Sequence, residues 1–354
     1  MEQKRCISSF TLAELTAELK AMGQPGFRAK QIFHWVHQKL VTEFSAMTDQ
    51  PKTLLAKLEE SFYIAAPQIE RRQEAKDGTV KYLFSLPDGE TVESVLMSYK
   101  HGYSQCISTQ VGCKMGCTFC ATGMGGYIRD LTAAEMMAQI ETAQNDHHVR
   151  VSSVVLMGMG EPLDNYDNVL RFLHMLGERG NAQIGMRHVS LSTCGLVDQI
   201  YCLMEEKLQL TLSVSLHAPN DAIRSRMMPV NRRYPVDTLL AACREYAEVT
   251  GRRVSYEYAM VGGVNDSDAC ARELAQKLRG TLCHVNLIPI NAVKGKDQHP
   301  SSRTRIGAFQ HILEQNGITA TVRRTLGADI NAACGQLRRE YDQQSGQGRE
   351  EEEK

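Results

Sequence analysis

The amino-acid sequence predicts an α/β protein: a partial (β/α) barrel that follows an N-terminal helical accessory domain and a β-meander. From about residue 104 onward, short apolar runs alternate with helical patterns, which is typical of a parallel sheet, open or closed into a barrel. Each run is followed by polar, cysteine-rich or glycine-rich residues. Near residue 67 the hydrophobic period changes from helical to alternating, and this change separates the accessory domain from the meander.

The composition is that of an ordinary globular protein. The 354 residues are 42% hydrophobic, and no run of about 18 apolar residues predicts a membrane span. The N-terminal residues lack the apolar segment of a secretory signal. The net charge of −1 indicates no particular partner by itself. Eleven cysteines, scattered and odd in number, argue against a disulfide framework and predict a reducing, cytoplasmic location.

The first 103 residues are predicted to form two regions. Residues 1–66 carry three segments with apolar residues at helical spacing, FTLAELTAELKAMG, PGFRAKQIFHWVHQKL and PKTLLAKLEESF. Residues 67–103 alternate between apolar and polar residues, and turn signals at Asp77-Gly78 and Asp88-Gly89 divide them into strands. We therefore expect a helical accessory domain followed by a β-meander.

Residues 104–340 are predicted to form the barrel, and six to eight βα units fit this length. Its expected strands are Gln105–Gln110, Val151–Met157, Val189–Thr193, Leu210–Leu216, Ser255–Val261 and Leu282–Pro289. Active sites of such barrels lie at the carboxyl ends of the strands, so the polar segments that follow the strands predict one converging site. Residues 341–354 contain five acidic and two basic side chains, which predicts a disordered acidic tail.

Three cysteines follow the first expected strand in the segment GCKMGCTFCATG: Cys113, Cys117 and Cys120. A disulfide would leave one thiol unpaired and is disfavoured in the cytoplasm. Structural zinc needs a fourth ligand, which Cys106 or His101 would have to supply. An iron–sulfur cubane held by three thiolates leaves one iron open, as a catalytic cluster requires. The spacing favours this cluster over zinc.

An open iron in such a cluster can bind the amino and carboxylate groups of S-adenosylmethionine (SAM), and an electron from the cluster can cleave its S–C5′ bond to give a 5′-deoxyadenosyl radical. The cysteine motif resembles that of the radical SAM superfamily. Further motifs resemble the RlmN/Cfr family of RNA methyltransferases, most closely its RlmN branch, over about residues 10 to 340. These motifs are MGMGEPL, STCGL, SLHAP, GRRVSYEYAMVGGVND, HVNLIPIN and GADINAACGQL.

The resemblance implies an enzyme that methylates an adenosine of 23S ribosomal RNA. The methylated atom is C2 in the RlmN branch and C8 in the Cfr branch, and in some bacteria RlmN also modifies adenosine 37 of tRNA. The implied cofactors are a [4Fe-4S] cluster and two molecules of SAM per turnover. The implied partners are 23S rRNA, tRNA and an electron donor such as flavodoxin or ferredoxin, and we expect a monomer. An alternative of another class is a non-enzymatic RNA-binding protein that holds zinc or an iron–sulfur cluster.

The resemblance also implies which residues bind the cofactors. Cys113, Cys117 and Cys120 match the cluster ligands. The positions that match SAM contacts are Gly160, Glu161, Ser192, Ser215, Leu216, His217 and Asn291. Glycine lets a ligand approach the backbone, and a carboxylate can pair with the ammonium group of SAM. Taken alone, a serine at the end of a strand is more often a helix cap.

The catalytic residues implied by the resemblance are Cys334, Cys106 and Glu93. Cys334 would carry a methyl group as S-methylcysteine, from which a carbon radical could add to an adenine carbon that is not nucleophilic. The Cys106 thiolate would then attack the sulfur of Cys334 and release the RNA through a transient disulfide. Glu93 would accept the C2 proton, although a glutamate on a half-exposed strand is more often merely solvated.

Pairs of basic residues are the candidates for RNA contact, because phosphate contacts give salt-dependent affinity while the target adenine is extruded into the barrel. Any one such pair is usually part of a solvated face. The pairs are Arg28 and Lys30, Arg224 and Arg226, Arg232 and Arg233, Arg252 and Arg253, and Arg323 and Arg324.

Overall fold

The computed structural model describes residues 4–178, 182–290, 299–324, 326–330, 337–338 and 341. Its α-helices are α1 (Leu12–Ala21), α2 (Phe27–His37), α3 (Lys52–Ser61), α4 (Ala133–His147), α5 (Tyr166–Gly177), α6 (Val197–Glu205), α7 (Asp221–Met227), α8 (Val236–Thr250), α9 (Asp268–Leu278) and α10 (Arg303–Gln315). Its strands are β1 (Arg5–Cys6), β2 (Phe62–Tyr63), β3 (Gln68–Glu74), β4 (Val80–Ser85), β5 (Thr91–Tyr99), β6 (Gly102–Cys106), β7 (Gln110–Gly112), β8 (Tyr127–Asp130), β9 (Val151–Leu156), β10 (Val189–Thr193), β11 (Thr211–Ser215), β12 (Val254–Met260), β13 (Cys283–Pro289) and β14 (Ala320–Val322).

A ten-stranded mixed sheet organises the chain, with strand order β14-β13-β12-β11-β10-β9-β6-β5-β4-β3. Strands β6 and β9 to β14 are parallel, whereas β3 to β6 are joined by antiparallel hairpins. Helices between the parallel strands bury their apolar faces on this sheet and complete one large core. The predicted α/β fold, a parallel-rich partial barrel, is therefore confirmed, and the meander continues the barrel sheet.

Side chains alternate between the two faces of the parallel strands. On β12, Tyr256 and Tyr258 join the hydrophobic core, while the intervening Glu257 lies on the opposite face. On β11, Leu212 and Val214 likewise belong to the core. The face away from the helices consequently carries polar side chains on these strands, among them Ser213 and Glu257.

The accessory region has a hydrophobic core of its own, built from α1, α2, α3 and the short parallel pair β1–β2. The three helices lie where helical spacing predicts them, but β1 and β2 are too short for a sequence pattern to reveal. Contacts with the barrel helices are polar. His37 Nδ1 lies 2.7 Å from Glu141 Oε1, and Arg171 on α5 binds the Glu14 carboxylate.

The first barrel strand differs from its prediction. β6 ends at Cys106, and the chain then turns away because the N–H groups of Thr109 and Gln110 both donate to the carbonyl of Met159. Residues 110–112 instead form β7, which pairs antiparallel with β8. The residues expected to form one strand, 105–110, therefore belong to two strands, β6 and β7, in two different sheets. Among the described residues, no helix is long and apolar enough to cross a membrane.

Candidate active site

The cysteine-bearing loop joins the two strands of the β7–β8 hairpin. Gly112 has φ +80°, and a Cβ atom there would lie 2.0 Å from the carbonyl oxygen of Gly126. That same oxygen accepts a hydrogen bond of 2.7 Å from the N–H of Cys113. Only glycine allows the two ends of the loop to approach so closely. The hairpin thus closes the loop at its base.

The loop is fixed on the carboxyl ends of the barrel strands by apolar packing. Cys117 and Phe119 pack against a cluster that contains Cys194 and Met227, and the Thr118 N–H donates to the Met227 carbonyl at 2.9 Å. The loop therefore lies over the end of the sheet where the sequence predicts the site.

Two thiols of the loop have perturbed pKa values. Burial, together with the negative charge of neighbouring thiolates, raises the pKa of the Cys113 and Cys117 thiols to about 12. Among the residues that the structure describes, no three His, Cys, Asp or Glu side chains are arranged as a metal-ligand set. The donor chemistry nevertheless fits a [4Fe-4S] cluster, since three thiols share one anchored loop.

The fourth ligand that structural zinc would need is not supplied by either candidate. His101 stacks on Tyr99 at the amino end of β6, which is the end opposite to the cysteine loop. Cys106 is buried among Val95 and Met97 on the meander side of the sheet. The geometry therefore favours a group with three protein ligands.

Gly160 and Glu161 lie after β9, against Gln110 of the hairpin. Gly160 has φ +103°, and a Cβ atom there would lie 2.6 Å from the Cβ atom of Gln110. The Glu161 N–H donates to Gln110 Oε1 at 2.8 Å. Its buried carboxylate accepts hydrogen bonds from the N–H groups of Leu163, at 3.1 Å, and Cys194, at 2.6 Å. Glu161 thus joins the ends of β9 and β10, and burial raises the pKa of its carboxyl group.

Ser192, Ser215 and Leu216 occupy the ends of neighbouring strands. The two serines are half-buried and lie on β10 and β11, whereas the Leu216 side chain is buried in the large core. The Leu216 N–H donates to the Glu257 carbonyl at 3.1 Å, and its own carbonyl accepts a hydrogen bond from Arg224 Nε at 3.0 Å. Leu216 consequently offers a ligand no free side chain, and its role is to shape the backbone.

His217 is held rigidly as a neutral imidazole. Its Nδ1 accepts a hydrogen bond from the Ala259 N–H at 2.9 Å, so that Nε2 carries the proton. Burial and the charge of Arg224 lower the pKa of His217 to about 3. The ring packs edge-to-face on Phe119, with 4.8 Å between centroids. His217 therefore connects the cysteine loop to strand β12.

Arg224 is a site residue whose role the sequence analysis misassigned. Proposed as an RNA contact, it is fully buried, and its guanidinium donates to the carbonyls of Cys194, Ser215 and Leu216 and to Asn231 Oδ1. It fixes the loops after β10 and β11 and cannot touch a phosphate. The apolar residues one position before it and three after it, Ile223 and Met227, were the signal of a buried helical face.

Glu93 and Cys106 lie together on one face of the meander. The strand register pairs Val95 with Lys81 on one side and with Cys106 on the other, so these three side chains share a face of the sheet. Glu93 precedes Val95 by two residues on the same strand, so its side chain lies on that face as well. Glu93 is only 2% exposed and its Oε2 lies 3.2 Å from Lys81 Nζ. The expectation that Glu93 sits on a half-exposed strand is therefore wrong, and the described residues Leu326 and Arg338 contact this face.

Cys334 and Asn291 lie outside the described residues. The chain on both sides of Cys334, however, contacts the same face of the meander. Leu326, eight residues before it, packs against the cluster that contains Cys106. Four residues after it, the Arg338 N–H donates to Glu93 Oε1 at 2.7 Å. Leu326 and Arg338 thus both contact the face that carries Cys106 and Glu93.

Comparison with known proteins identifies the family. The model of the radical SAM superfamily matches residues 107–274, and that of the ribosomal RNA large subunit methyltransferase N-terminal domain matches residues 7–64. Probable dual-specificity RNA methyltransferases RlmN of Lachnoclostridium phytofermentans and of Clostridium botulinum (strain Eklund 17B) are 50% and 52% identical to this chain. The alignments cover 96% and 95% of this chain and 96% of each relative. The chain belongs to the RlmN family of radical SAM RNA methyltransferases.

A solved structure of the same superfamily agrees with this assignment. The crystal structure of a radical SAM methyltransferase from Sphaerobacter thermophilus has a TM-score of 0.90 and 47% identity, covering 94% of this chain and 98% of that one. Membership of the superfamily implies a [4Fe-4S] cluster and SAM as cofactors. The resemblance stated from the sequence motifs is thereby confirmed, and the non-enzymatic alternative receives no support.

Proposed function

We propose that this RlmN family member methylates C2 of an adenosine in 23S rRNA and of adenosine 37 in tRNA, in the cytoplasm where both RNAs occur. Its relatives are named probable dual-specificity RNA methyltransferases RlmN. The words "dual-specificity" support two RNA substrates, and the name RlmN supports methylation at C2 rather than the Cfr-type methylation at C8. Electrons would come from a small donor protein such as flavodoxin or ferredoxin. Two molecules of SAM would be used per turnover, one as the methyl donor and one as the source of the 5′-deoxyadenosyl radical.

One observation supports this proposal above the others. Glu93 and Cys106 share a buried face of the meander, and the segments on both sides of Cys334 contact that face. A proton acceptor, a nucleophilic thiol and a methyl-carrying thiol are the three groups that a ping-pong methyl transfer requires. A protein that only bound RNA would not need them in one place.

The residues at the strand ends fit the cofactors. We assign the cluster to Cys113, Cys117 and Cys120, and SAM to Gly160, Glu161, Ser192, Ser215, Leu216, His217 and Asn291. When bound, the cluster and SAM supply the methyl group and the one-electron chemistry that activates it. Glu161 would orient the ammonium of SAM with the lone pairs that its two backbone hydrogen bonds leave unused. Neutral His217 would present its Nε2 proton as a donor.

Cys334, Glu93 and Cys106 would complete the reaction. The Cys334 thiolate takes up a methyl group, and its carbon, after loss of a hydrogen atom, bonds to adenine C2. Glu93 accepts the proton that leaves C2, and the one-electron oxidation that accompanies this loss is part of the chemistry that the cluster would supply when bound. The Cys106 thiolate then attacks the Cys334 sulfur. The bond between the Cys334 sulfur and the transferred carbon breaks, and its electron pair stays on that carbon, which takes up a proton to become the new methyl group. The disulfide between Cys106 and Cys334 must be reduced before the next cycle.

RNA contact would involve the exposed arginines beside the cysteine loop. Arg226, Arg232 and Arg233 are exposed on α7 and the turn after it, and Pro229 of that turn approaches Gly116 of the loop. Arg252 lies at the amino end of β12, away from the site. Replacing Arg232 with alanine should weaken RNA binding and lower the dependence of affinity on salt by about one counterion.

The decisive experiment is product analysis with two cysteine variants. Reconstituted enzyme should form 2-methyladenosine from rRNA and tRNA, as measured by mass spectrometry of nucleosides. Cys334→Ala should form none. Cys106→Ala should load the cluster and methylate Cys334 but accumulate protein crosslinked to RNA. The matched control is Cys202→Ala, which changes an exposed cysteine on α6. 8-Methyladenosine as the product would instead assign the Cfr-type reaction.

A further inference from the structure

The buried ion pair between Lys81 and Glu93 is not explained by the fold alone. Lys81 is fully buried on β4, where its backbone pairs with Val95 of β5. Replacing a buried ion pair by apolar side chains of similar volume is often neutral or stabilising, so such a pair is weak evidence for stability. The neighbours Val95 and Met97 show that this face accepts apolar residues. A lysine here therefore requires another reason.

We propose that Lys81 is a positioning residue, which holds and orients the Glu93 carboxylate as the proton acceptor of the second half-reaction. The inference rests on the proposed function of Glu93. The two oxygens of Glu93 have different partners: Oε2 lies 3.2 Å from Lys81 Nζ, and Oε1 accepts the Arg338 N–H at 2.7 Å. One partner thus belongs to the meander and the other to the segment that follows Cys334.

The groups around Glu93 make Lys81 the cation placed to act on it. From the C-terminal segment, the Arg338 guanidinium is directed to Glu90 at 2.9 Å and presents only its backbone N–H to Glu93. From β3, the Arg71 guanidinium lies 5.1 Å from the Tyr341 ring. Among the described residues, the thiol of Cys106 on β6 is a further titratable group on this face. The Lys81 ammonium is therefore the close, buried positive charge at the carboxylate.

The consequence for the reaction follows from electrostatics. An ammonium within about 4 Å favours the charged form of a carboxylate, whereas burial without a partner favours the neutral acid. A protonated Glu93 cannot accept the C2 proton. Loss of Lys81 should therefore impair RNA methylation at neutral pH and spare the earlier methylation of Cys334, which needs no proton acceptor at C2.

The test uses reconstituted full-length enzyme with Lys81→Met and Lys81→Arg, and Lys100→Met as a control at an exposed lysine of the same meander. Peptide mass spectrometry measures methylation of Cys334, and nucleoside mass spectrometry measures 2-methyladenosine from pH 6 to 9. RNA deuterated at adenine C2 identifies the stalled step. If the crosslink between Cys334 and RNA retains deuterium, removal of the C2 proton by Glu93 has failed. If the crosslink has lost deuterium, its release by Cys106 has failed.

For Lys81→Met we expect Cys334 methylation within about twofold of wild type and 2-methyladenosine formation about tenfold slower at pH 7. The acidic limb of the pH profile should move up towards neutral pH, and deuterated adduct should accumulate. Lys81→Arg should retain most activity because it keeps the charge. Equal loss of both half-reactions at every pH, or an unchanged profile in Lys81→Met, would overturn the proposal.

Two controls keep the outcome interpretable. If Lys81→Met fails to load a cluster, Lys81→Gln replaces it, since glutamine is neutral but can still donate to Glu93. Failure of both variants to fold, with Lys81→Arg fully active, would make Lys81 structural and overturn the proposal. If wild type and Lys100→Met form no S-methylated Cys334 or 2-methyladenosine, it is the proposed function that fails.

Discussion

The strand-end region and the meander face hold their polar groups in different ways. At the strand ends, Glu161 and His217 are bound by backbone N–H groups of neighbouring barrel loops and strands. On the meander face, Glu93 is bound by Lys81 of the neighbouring strand β4 and by the N–H of Arg338, which lies 245 residues further along the chain. The polar groups at the strand ends are therefore bound within the barrel itself, whereas the Glu93 carboxylate depends on a contact with Arg338 in the C-terminal part of the chain.

The largest expected effect concerns Arg224, on which the strand-end region depends. Arg224→Met removes a buried guanidinium and leaves the carbonyls of Cys194, Ser215 and Leu216 without that donor. We expect the free energy of unfolding to fall by about 3–5 kcal/mol. Chemical denaturation measures it, with Arg226→Met, at an exposed neighbour, as a control within about 0.5 kcal/mol of wild type. A cost below about 1 kcal/mol would show that these loops are held otherwise.

A somewhat smaller effect is expected at Gly160. Gly160→Ala places a Cβ atom 2.6 Å from Gln110 and forces alanine into φ +103°. The expected loss of stability is about 2–3 kcal/mol, together with weaker SAM binding. Gly307→Ala on α10 is the matched control, because nothing lies within 4 Å of its Cβ position, and it should stabilise by about 1 kcal/mol. Equal behaviour of the two variants would contradict the close packing of the hairpin against β9.

These two regions also differ in how well the sequence predicts them. The strand-end motifs are local: a strand, a glycine and a polar residue follow one another, so their positions could be read from a few residues. The burial of Glu93 could not, because it depends on residues such as Arg338 that lie far away in sequence. The burial of Arg224 is indicated by the apolar Ile223 and Met227, but its acceptors could not be predicted, since most of them are backbone carbonyls that no side-chain pattern records. The break between β6 and β7 likewise results from hydrogen bonds to the distant Met159.

The pH dependence of stability should reveal the neutral state of His217. Its pKa is about 3 in the folded protein and about 6.5 when unfolded, so the unfolded chain binds the extra proton below pH 6.5. Stability should therefore fall as the pH drops, by about 2 kcal/mol between pH 6.5 and pH 5. The His217→Asn variant should lose about 2 kcal/mol less stability than wild type over this interval. Asparagine tolerates the φ of +57° at this position and keeps a hydrogen-bond acceptor. An equal loss of stability between pH 6.5 and pH 5 in wild type and His217→Asn, measured by urea denaturation, would contradict the assignment.

The smallest effect tests how the C-terminal segment is held on the meander. Asp77 and Asp88 occupy equivalent turns, and each accepts the N–H two residues ahead. Asp77 also accepts the Gly327 N–H at 2.9 Å, whereas Asp88 binds Arg129 of the hairpin. Each alanine variant should lose about 1 kcal/mol of stability.

Only Asp77→Ala should loosen the segment that carries Cys334. Amide hydrogen exchange should accelerate about tenfold at Gly327 and at Arg338 in Asp77→Ala, because both amides are bound to the meander, and remain unchanged in Asp88→Ala. Faster exchange at Gly327 alone would show that the two ends of the segment dock independently. The Glu93 contact would then fix the region after Cys334 without help from the turn at Asp77.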